Sequence, residues 1–346
     1  MDELAIVSEQ QAFTHWKVAT DIYNVLKTKV SKCNLYDWAA REIPEKNILF
    51  VGTILSTTLH YLTRFLPNRK VVFYTTLEGE PLIDPIGRNI AKHVKLVAVS
   101  QFAKEMLQHV ELHCEGVVYH GIPMEDTQRD PRFDDFLNMI QHPPNKPKIR
   151  RRKYLTISSN MERKGLDHLL VAHKLVEFNN PDAVLILHSG GGFYDITRLA
   201  DLLELTFDRF WFTNSFGMYD TFQMNSLTRF SEFLVQPSFT EGYGLPMAEA
   251  LKHEKPVVAI DAPPYNEIIQ NGKTGILIPV RQTKRVKFLN RIILLMKLYS
   301  VNDLAEAITN MLNDKYRKKL SANITKKVKM RFEAETTYPA LLRHFE

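Results

Sequence analysis

Two glutamates that flank a short glycine loop form the segment of this sequence best suited to chemistry. Glu241 and Glu249 are separated by seven residues within EGYGLPMAEAL. Gly242 and Gly244 keep the loop free of side chains, and Pro246 suits the first turn of a helix, because its missing N–H costs nothing there. Exposed N–H groups and the positive end of a helix bind anions such as a diphosphate. The segment therefore predicts a phosphate site.

The two carboxylates are placed to accept hydrogen bonds from hydroxyl groups. Glu249 lies one turn into the predicted helix, where it can accept from vicinal hydroxyls such as those of a ribose. Glu241 precedes the loop and would face a sugar beyond the diphosphate. A phosphate site flanked by two hydroxyl acceptors is what a nucleotide-sugar requires.

The elements that must position this loop alternate between strands and helices. The predicted strands are short and almost continuously apolar, which is typical of parallel sheets buried on both faces. They cover residues 4–8, 47–52, 70–76, 95–100 and 116–120, then 154–158, 183–188, 210–212, 233–236, 257–260 and 275–279. This alternation predicts an α/β fold with two Rossmann-like, doubly wound parallel-sheet domains that face a cleft.

Length and charge divide the chain further. Its 346 residues suit two domains, and a proline- and charge-rich segment separates the two series of strands. We predict an N-terminal domain over residues 1–145, a basic linker over 146–153 and a C-terminal domain over 154–330. The net charge of +6 is concentrated in 146–153 and 281–330. This distribution argues against a general nucleic-acid-binding surface.

Composition excludes several classes of protein. Hydrophobic residues make up 45% and charged residues 24%, which does not fit a disordered chain. Cys33 and Cys114 are the only cysteines, too few for a disulfide framework, and no Cys/His spacing suggests zinc. We therefore predict a cytoplasmic protein without a metal site.

The glycine loop and its surroundings resemble a known enzyme family. The string EGYGLPMAEAL, with Pro-Ser before it and Pro-Val-Val-Ala after it, resembles the signature of the retaining GT-B glycosyltransferases of family 4, the glycosyl transferases group 1. ERKGLDHLLVA and PPYNEIIQNGKTGILIP resemble further motifs of the same domain, so the resemblance extends over about residues 154–280.

The resemblance implies a metal-independent retaining transferase, which moves a sugar from a UDP- or GDP-linked donor to a hydroxyl acceptor and needs no separate cofactor. The C-terminal domain would bind the donor and the N-terminal domain the acceptor, with residues 331–346 forming a helix that crosses back to the N-terminal domain. Glu241 would contact the donor sugar and Glu249 the ribose. The loop around Gly242, Tyr243, Gly244 and Leu245 would meet sugar and phosphate.

Three positions depart from the family pattern. Lys164 matches the family's diphosphate-binding lysine, but its partner arginine falls on Ser159, and Arg163 is the neighbouring substitute. Glu78 stands about where the family has a histidine, and we predict it to be catalytic. In HGIPMED, His120 replaces an asparagine. The family's glycine loop after the first strand is absent.

The basic segment 281–300 reads as an insertion, and its charge and apolar residues predict a basic interfacial helix. Such a helix would either contact a membrane surface, making the protein peripheral on the inner face, or pack on the domain or a second subunit. Two further alternatives stay open: a transferase acting on DNA or another polyanion, and a sugar-nucleotide-binding module without catalysis. The sugar, the base and the acceptor, whether glycan, lipid or protein, are not fixed by the sequence.

Overall fold

The computed structural model describes residues 1–123, 128–141 and 151–346. The strands are β1 Glu3–Ser8, β2 Lys32–Asp37, β3 Asn47–Gly52, β4 Lys70–Thr75, β5 Gly79–Pro81, β6 Lys95–Ala98, β7 Gly116–Val117, β8 Arg152–Ile157, β9 Ala183–His188, β10 Phe210–Phe212, β11 Phe233–Val235, β12 Val257–Ile260, β13 Gly275–Ile278, β14 Gln282–Phe288 and β15 Ile292–Leu298. The helices are α1 Phe13–Leu26, α2 Ser56–Leu62, α3 Pro85–Ala91, α4 Gln101–His109, α5 Pro131–Gln141, α6 Leu166–Asn179, α7 Ile196–Leu202, α8 Thr221–Phe230, α9 Leu245–Lys252, α10 Tyr265–Ile268, α11 Val301–Leu312, α12 Asp314–Asn323, α13 Lys326–Met330 and α14 Ala334–Thr337. Short 3₁₀ helices cover Leu66–Asn68, Glu162–Lys164 and Tyr338–Phe345.

The first sheet is parallel, in the order β2-β1-β3-β4-β6-β7. The five strands predicted in this half are present. The sixth, β2, was not predicted, because this edge strand is only partly buried and its sequence KCNLYD is not an apolar run. The chain winds in opposite directions from β1 and β3, so the loops after these two neighbouring strands diverge and leave a crevice.

The second sheet is also parallel, in the order β10-β9-β8-β11-β12-β13. Counted within the domain, this is the order 3-2-1-4-5-6 of a dinucleotide-binding fold, and its direction reverses between β8 and β11. Ligands of such sheets bind beyond the carboxyl ends of the strands at this reversal. The predicted fold class, two Rossmann-like domains with parallel sheets, is confirmed.

A third, antiparallel sheet joins the two halves of the chain. Strands β14 and β15 form a hairpin, and β15 pairs with β5 of the first half through the registers 292–81, 293–80 and 294–79. The helix predicted over residues 281–300 is therefore wrong. The apolar run after Arg291 has the length of a strand, and runs of this length do not distinguish a strand from a helix. The membrane contact predicted for this segment rested on that helix, and the hairpin gives it no support.

The C-terminal segment lies against the first sheet. The Tyr338 hydroxyl donates a hydrogen bond to the Gly121 carbonyl at 3.0 Å, and Lys70 Nζ donates to the Phe345 carbonyl at 2.7 Å. Residues 146–150 of the predicted linker and 124–126 of the HGIPMED motif lie outside the described residues. None of the helices within the described ranges is long and apolar enough to cross a membrane.

Candidate active site

A cleft of about 580 Å³ lies where the carboxyl ends of the two large sheets face each other. His15, in α1 after β1, and Thr53, in the loop after β3, line it from the first domain. Ser159 and Arg163, which follow β8, and Glu241, which follows β11, line it from the second. Both crevices expected from strand order therefore open into one cavity. A cleft of this size is large enough for a small organic ligand.

The loop between β11 and α9 lines the cleft on the side of the second domain. Gly244 has a left-handed backbone, with φ of 94°, immediately before α9 begins. Pro246 lies in the first turn of that helix, as predicted. Gly242, Tyr243, Gly244 and Leu245 all line the cleft. The start of α9, with its free N–H groups, thus faces the cavity.

Gly242 also has a packing role that the sequence did not indicate. A Cβ atom at this position would lie 2.1 Å from Thr76 Oγ1 and 3.2 Å from the backbone of Leu77, both in the first domain. Ser100 Oγ, from the same domain, donates a hydrogen bond to the Gly242 carbonyl at 2.8 Å. The loop is therefore held against the opposite domain by close backbone contact.

Glu241 and Lys164 form a buried ion pair at the centre of the cleft. Lys164 Nζ donates to Glu241 Oε1 at 2.6 Å, and Gln236 Nε2 donates to the same oxygen at 2.9 Å. Both charged residues are 8% exposed. Burial raises the pKa of Glu241, but the charges of Lys164 and Arg163 outweigh burial and hold this pKa below its usual value. Glu241 is thus an ionised hydrogen-bond acceptor.

Glu78 joins this pair from the first domain. Arg163 Nε lies 2.9 Å from Glu78 Oε2, and Lys164 Nζ lies 4.0 Å from Glu78 Oε1. Burial is the largest influence on Glu78 and raises its pKa, while Arg163 and Lys164 oppose the rise and the charge of Glu241 adds to it. The two carboxylates are consequently driven toward different protonation states, as in other sites where like charges share a partner.

Arg163 and Lys164 reach the same carboxylates although they are adjacent in sequence. They lie in the short 3₁₀ helix Glu162–Lys164, which ends at Gly165 with a left-handed φ of 62°. Neighbours on a regular α-helix would diverge, and this turn does not impose that geometry. Arg163 Nε meets Glu78 at an angle that makes no hydrogen bond, and Nη1 is buried without an acceptor in the part of the chain that the structure describes. This side chain therefore has donors to offer a ligand.

The remaining predicted residues occupy different places. Ser159 lines the cleft in the loop after β8. Glu249 lies one turn along α9 from Leu245 and Pro246, and its carboxylate is 3.5 Å from Lys17 Nζ of α1. Lys17 also pairs with Asp21 at 3.1 Å. Thus Glu241, Lys164, Arg163 and Glu78 form one cluster, whereas Glu249 belongs to a neighbouring ion-pair group that links the two domains.

Several residues that line the cleft were not among the predicted site residues. Gln236, which donates to Glu241, follows β11 directly. Its position at the carboxyl end of a predicted strand could have identified it as a site residue. His120 Nδ1 lies 3.0 Å from the Tyr74 hydroxyl, and burial, followed by the charges of His15 and Lys17, lowers the pKa of His120 to about 3. His120 is thus a neutral hydrogen-bonding group.

The described residues contain no group of three or more His, Cys, Asp or Glu side chains arranged to hold a metal ion. The charged groups at the centre of the cleft are the two cations and two carboxylates described above.

Comparison with protein families gives a match over residues 140–298, to the family described as Glycosyl transferases group 1. An uncharacterized glycosyltransferase 335 of Sulfolobus islandicus rod-shaped virus 1 is 25% identical over 233 residues. That alignment covers 64% of this chain and 65% of the viral protein, slightly less than two thirds of its length. The predicted enzyme class, glycosyltransferase, is confirmed at the level of the matched domain.

Solved structures show the same fold over the whole chain. Anabaena Alr3699/HepE in complex with UDP and glucose has a TM-score of 0.73 at 14% identity, covering 99% of both chains. Sucrose-phosphate synthase from Thermosynechococcus elongatus has a TM-score of 0.73 at 15% identity, covering 99% of this chain and 98% of the other. A glycosyltransferase from Rickettsia africae has a TM-score of 0.74 at 15% identity, covering 99% of this chain and 97% of the other. The arrangement of the two domains is that of the GT-B fold.

Proposed function

We propose that this chain, with a glycosyl transferases group 1 domain over residues 140–298, is a retaining transferase of family 4. It would take its sugar from a nucleotide donor without a metal ion. The observation that carries this proposal is the pair of cations, Arg163 and Lys164, beside ionised Glu241 where the second sheet reverses direction. Nucleotides bind at such reversals, and two cations suit a diphosphate leaving group.

The cations would stabilise the charge that develops when the bond between sugar and diphosphate breaks. Electrostatic stabilisation of this kind is usually the largest contribution to catalysis. Arg163 has buried donors without acceptors among the described residues, and a phosphate oxygen would satisfy them. Lys164 would turn from Glu241 toward the phosphate or contact both. In either case no metal ion is needed to neutralise the leaving group.

Glu241 would accept hydrogen bonds from hydroxyls of the donor sugar, because it is ionised and fixed by Lys164 and Gln236. The backbone of residues 242–245 would contact the diphosphate and the sugar at the start of α9. Glu249 would bind the ribose after releasing Lys17. A UDP-linked donor is supported by the UDP complex of the structurally similar HepE protein. The acceptor would enter from the first domain, where Glu78 faces the cluster.

The proposal is tested by incubating the full chain with UDP-glucose, UDP-N-acetylglucosamine and GDP-mannose, in the presence of EDTA, with a panel of hydroxyl acceptors. Release of free nucleotide and a product with the donor's anomeric configuration, measured by NMR, is the expected result. Inversion would contradict the retaining mechanism, and dependence on added metal would contradict metal independence. Donor binding without any turnover would favour a binding module. A cytoplasmic location stays a prediction.

A further inference from the structure

The turn of the β14–β15 hairpin forms the outer wall of the cleft. We call residues 288–292 the hairpin tip. Phe288, Leu289, Arg291 and Ile292 all line the cleft. The hairpin is fixed to the first domain by the pairing of β15 with β5 and by Arg285, whose Nη1 donates to Glu80 Oε1 at 2.8 Å. The tip is therefore held in place beside the site.

A second cavity, of about 550 Å³, lies beside the hairpin tip. Its walls come from the start of α2, from the segment between β5 and α3, and from the tip. Leu55 and Arg291 line both this cavity and the main cleft. Arg291 therefore lies between the two cavities and faces both of them.

The charges around this junction are mainly positive. Arg291 is exposed and lines both cavities. Arg88, in the second cavity, donates a hydrogen bond to the Val110 carbonyl. Asp84 is the carboxylate in the same cavity, where its Oδ1 accepts from the Gly87 N–H at 2.6 Å and lies 3.2 Å from His60 Nε2, so two arginines face one carboxylate. The junction consequently favours an anionic group.

The tip also exposes an apolar side chain at the mouth of the cleft. Leu289 is 68% exposed, and its backbone is left-handed, with φ of 49°, followed by Asn290 with φ of 52°. The Arg291 N–H donates to the Phe288 carbonyl, and β-turns whose two central residues have positive φ favour Asn, Asp and Gly there. Leucine at the first position is thus conformationally unfavourable, and it gains no burial in return. Contact with a ligand would supply that burial.

We propose that the hairpin tip and the second cavity form an acceptor subsite for a saccharide that carries a phosphate or carboxylate group. Arg291 binds the anionic group, and Leu289 packs against the nonpolar face of the adjoining sugar ring. This inference rests on the proposed function, because the acceptor is the substrate that enters beside the donor site. The acceptor is an acidic sugar or glycan, and the hairpin determines this specificity.

The test titrates glucose, glucose 6-phosphate and glucuronic acid into the full chain, monitored by calorimetry. Both acidic sugars, or one of them, are expected to bind at least about tenfold more tightly than glucose, since charge-assisted hydrogen bonds are the strong ones. The preference between the two acids identifies the group. Arg291→Gln should abolish the preference, and Arg291→Lys should retain part of it.

Lys284→Gln is the matched control, because Lys284 is exposed on the same hairpin and lies outside both cavities. Equal binding of acidic and neutral sugars, absence of binding by all three, or an equal loss in Lys284→Gln would overturn the inference. UDP-glucose is titrated in parallel. Donor binding without acid preference defeats only the subsite. Acid preference without donor binding defeats the proposed function and leaves a site for acidic sugars that has no acceptor role.

Discussion

At the scale of single residues, the cleft is a cluster of charges that compensate one another. Lys164 and Arg163 each approach Glu78, and Lys164 also holds Glu241. Buried ion pairs gain little stability overall, but removing one partner leaves a charge without compensation. A substitution in the cluster should therefore change both ligand affinity and the free energy of unfolding, and each residue can be tested by measuring both.

Lys164→Met tests the cation at the centre. We expect UDP-glucose binding to weaken by at least about tenfold, because a charge-assisted contact to phosphate is lost. We also expect the variant to be destabilised by about 3–5 kcal/mol, because Glu241 stays buried without its cation. The double variant Lys164→Met/Glu241→Gln should recover stability without recovering binding. Calorimetry and thermal unfolding measure the two effects, and unchanged donor affinity in the single variant would refute the role of Lys164.

Glu78→Gln tests the carboxylate that competes for the same cations. The pKa of Glu78 is raised, chiefly by burial, so Glu78 loses its proton at a higher pH than an ordinary glutamate. Above that pH the Glu78 carboxylate is ionised, so it pairs with Arg163 and repels the negatively charged diphosphate. We expect UDP-glucose affinity to fall as pH rises through this pKa, and we expect the fall to be absent in Glu78→Gln.

Calorimetric titrations at a series of pH values measure this dependence, with exposed Glu306→Gln as the control. UDP-glucose is the appropriate probe, because its diphosphate is a diester that does not titrate in the same range. The same pH dependence in wild type and Glu78→Gln would show that Glu78 does not compete with the donor.

At the scale of elements, each functional loop follows a strand of a parallel sheet. Arg163 and Lys164 follow β8, and Glu241 follows β11. These two neighbouring strands are the ones between which the strand order of the second sheet reverses. The loop glycines then bring the start of α9 against the first domain. The precision of the site therefore depends on backbone contacts between elements as much as on the charged side chains.

Gly242→Ala tests this close approach. The new methyl group would lie 2.1 Å from Thr76 Oγ1 and 3.2 Å from Leu77 backbone atoms, so the Thr76 side chain must rotate away and the Leu77 backbone must shift. We expect a destabilisation of about 1–3 kcal/mol, as for other overpacked sites, together with loss of sugar transfer. Gly191→Ala is the control, because nothing lies within 4 Å of its Cβ position. Thermal unfolding and transfer assays compare the two variants. Equal stability and equal activity of Gly242→Ala and Gly191→Ala would disprove the contact.

The sequence predicted elements well where an apolar run of strand length was flanked by helical pattern. All eleven predicted strands are present, because strands such as Ala183–His188 are buried throughout. The prediction was wrong at β14 and β15. Basic and apolar residues are mixed there, and their spacing fits the period of a helix as well as that of a strand. Strands β2 and β5 were also not predicted. β2 lies at the edge of its sheet and is only partly buried, and β5 has only three residues, so neither shows a clear pattern of apolar residues.

At the scale of the whole molecule, the two domains are joined by specific contacts across the cleft. Glu267, in α10 of the second domain, accepts hydrogen bonds from the Gln101 and Phe102 N–H groups, at 2.7 and 2.9 Å, and so caps α4 of the first. Strand β15 pairs with β5 beside the ion pair of Arg285 and Glu80. These contacts hold the two domains together beside the cleft.

Such contacts could not be predicted from the sequence. Gln101 and Glu267 are 166 residues apart, and neither residue type nor spacing distinguishes them from exposed polar residues. The loop from Glu241 to Leu245 and the start of α9 were predictable, because they form one continuous segment, and their role in donor binding stays a prediction. The cluster with Glu78 and the ion pair of Glu249 with Lys17 depend on how the domains meet.

The double variant Glu267→Ala/Arg285→Gln tests whether these contacts hold the domains closed. We expect a larger radius of gyration in small-angle X-ray scattering, because the cap of α4 and the ion pair beside β5 are removed together. UDP-glucose should reduce the increase by bridging the two domains. Glu306→Ala provides the reference for an exposed substitution. An unchanged radius in the double variant would show that other contacts maintain closure.

The central claim is that Arg163 and Lys164 bind the diphosphate of a nucleotide-sugar without a metal ion. Calorimetric titration of UDP-glucose into the full chain, in EDTA, tests it most directly. We predict one binding site with a Kd of about 1 mM or tighter, and at least about tenfold weaker binding in Lys164→Met. Absence of binding by UDP-glucose and GDP-mannose at about 1 mM, or equal affinity in Lys164→Met, would contradict it.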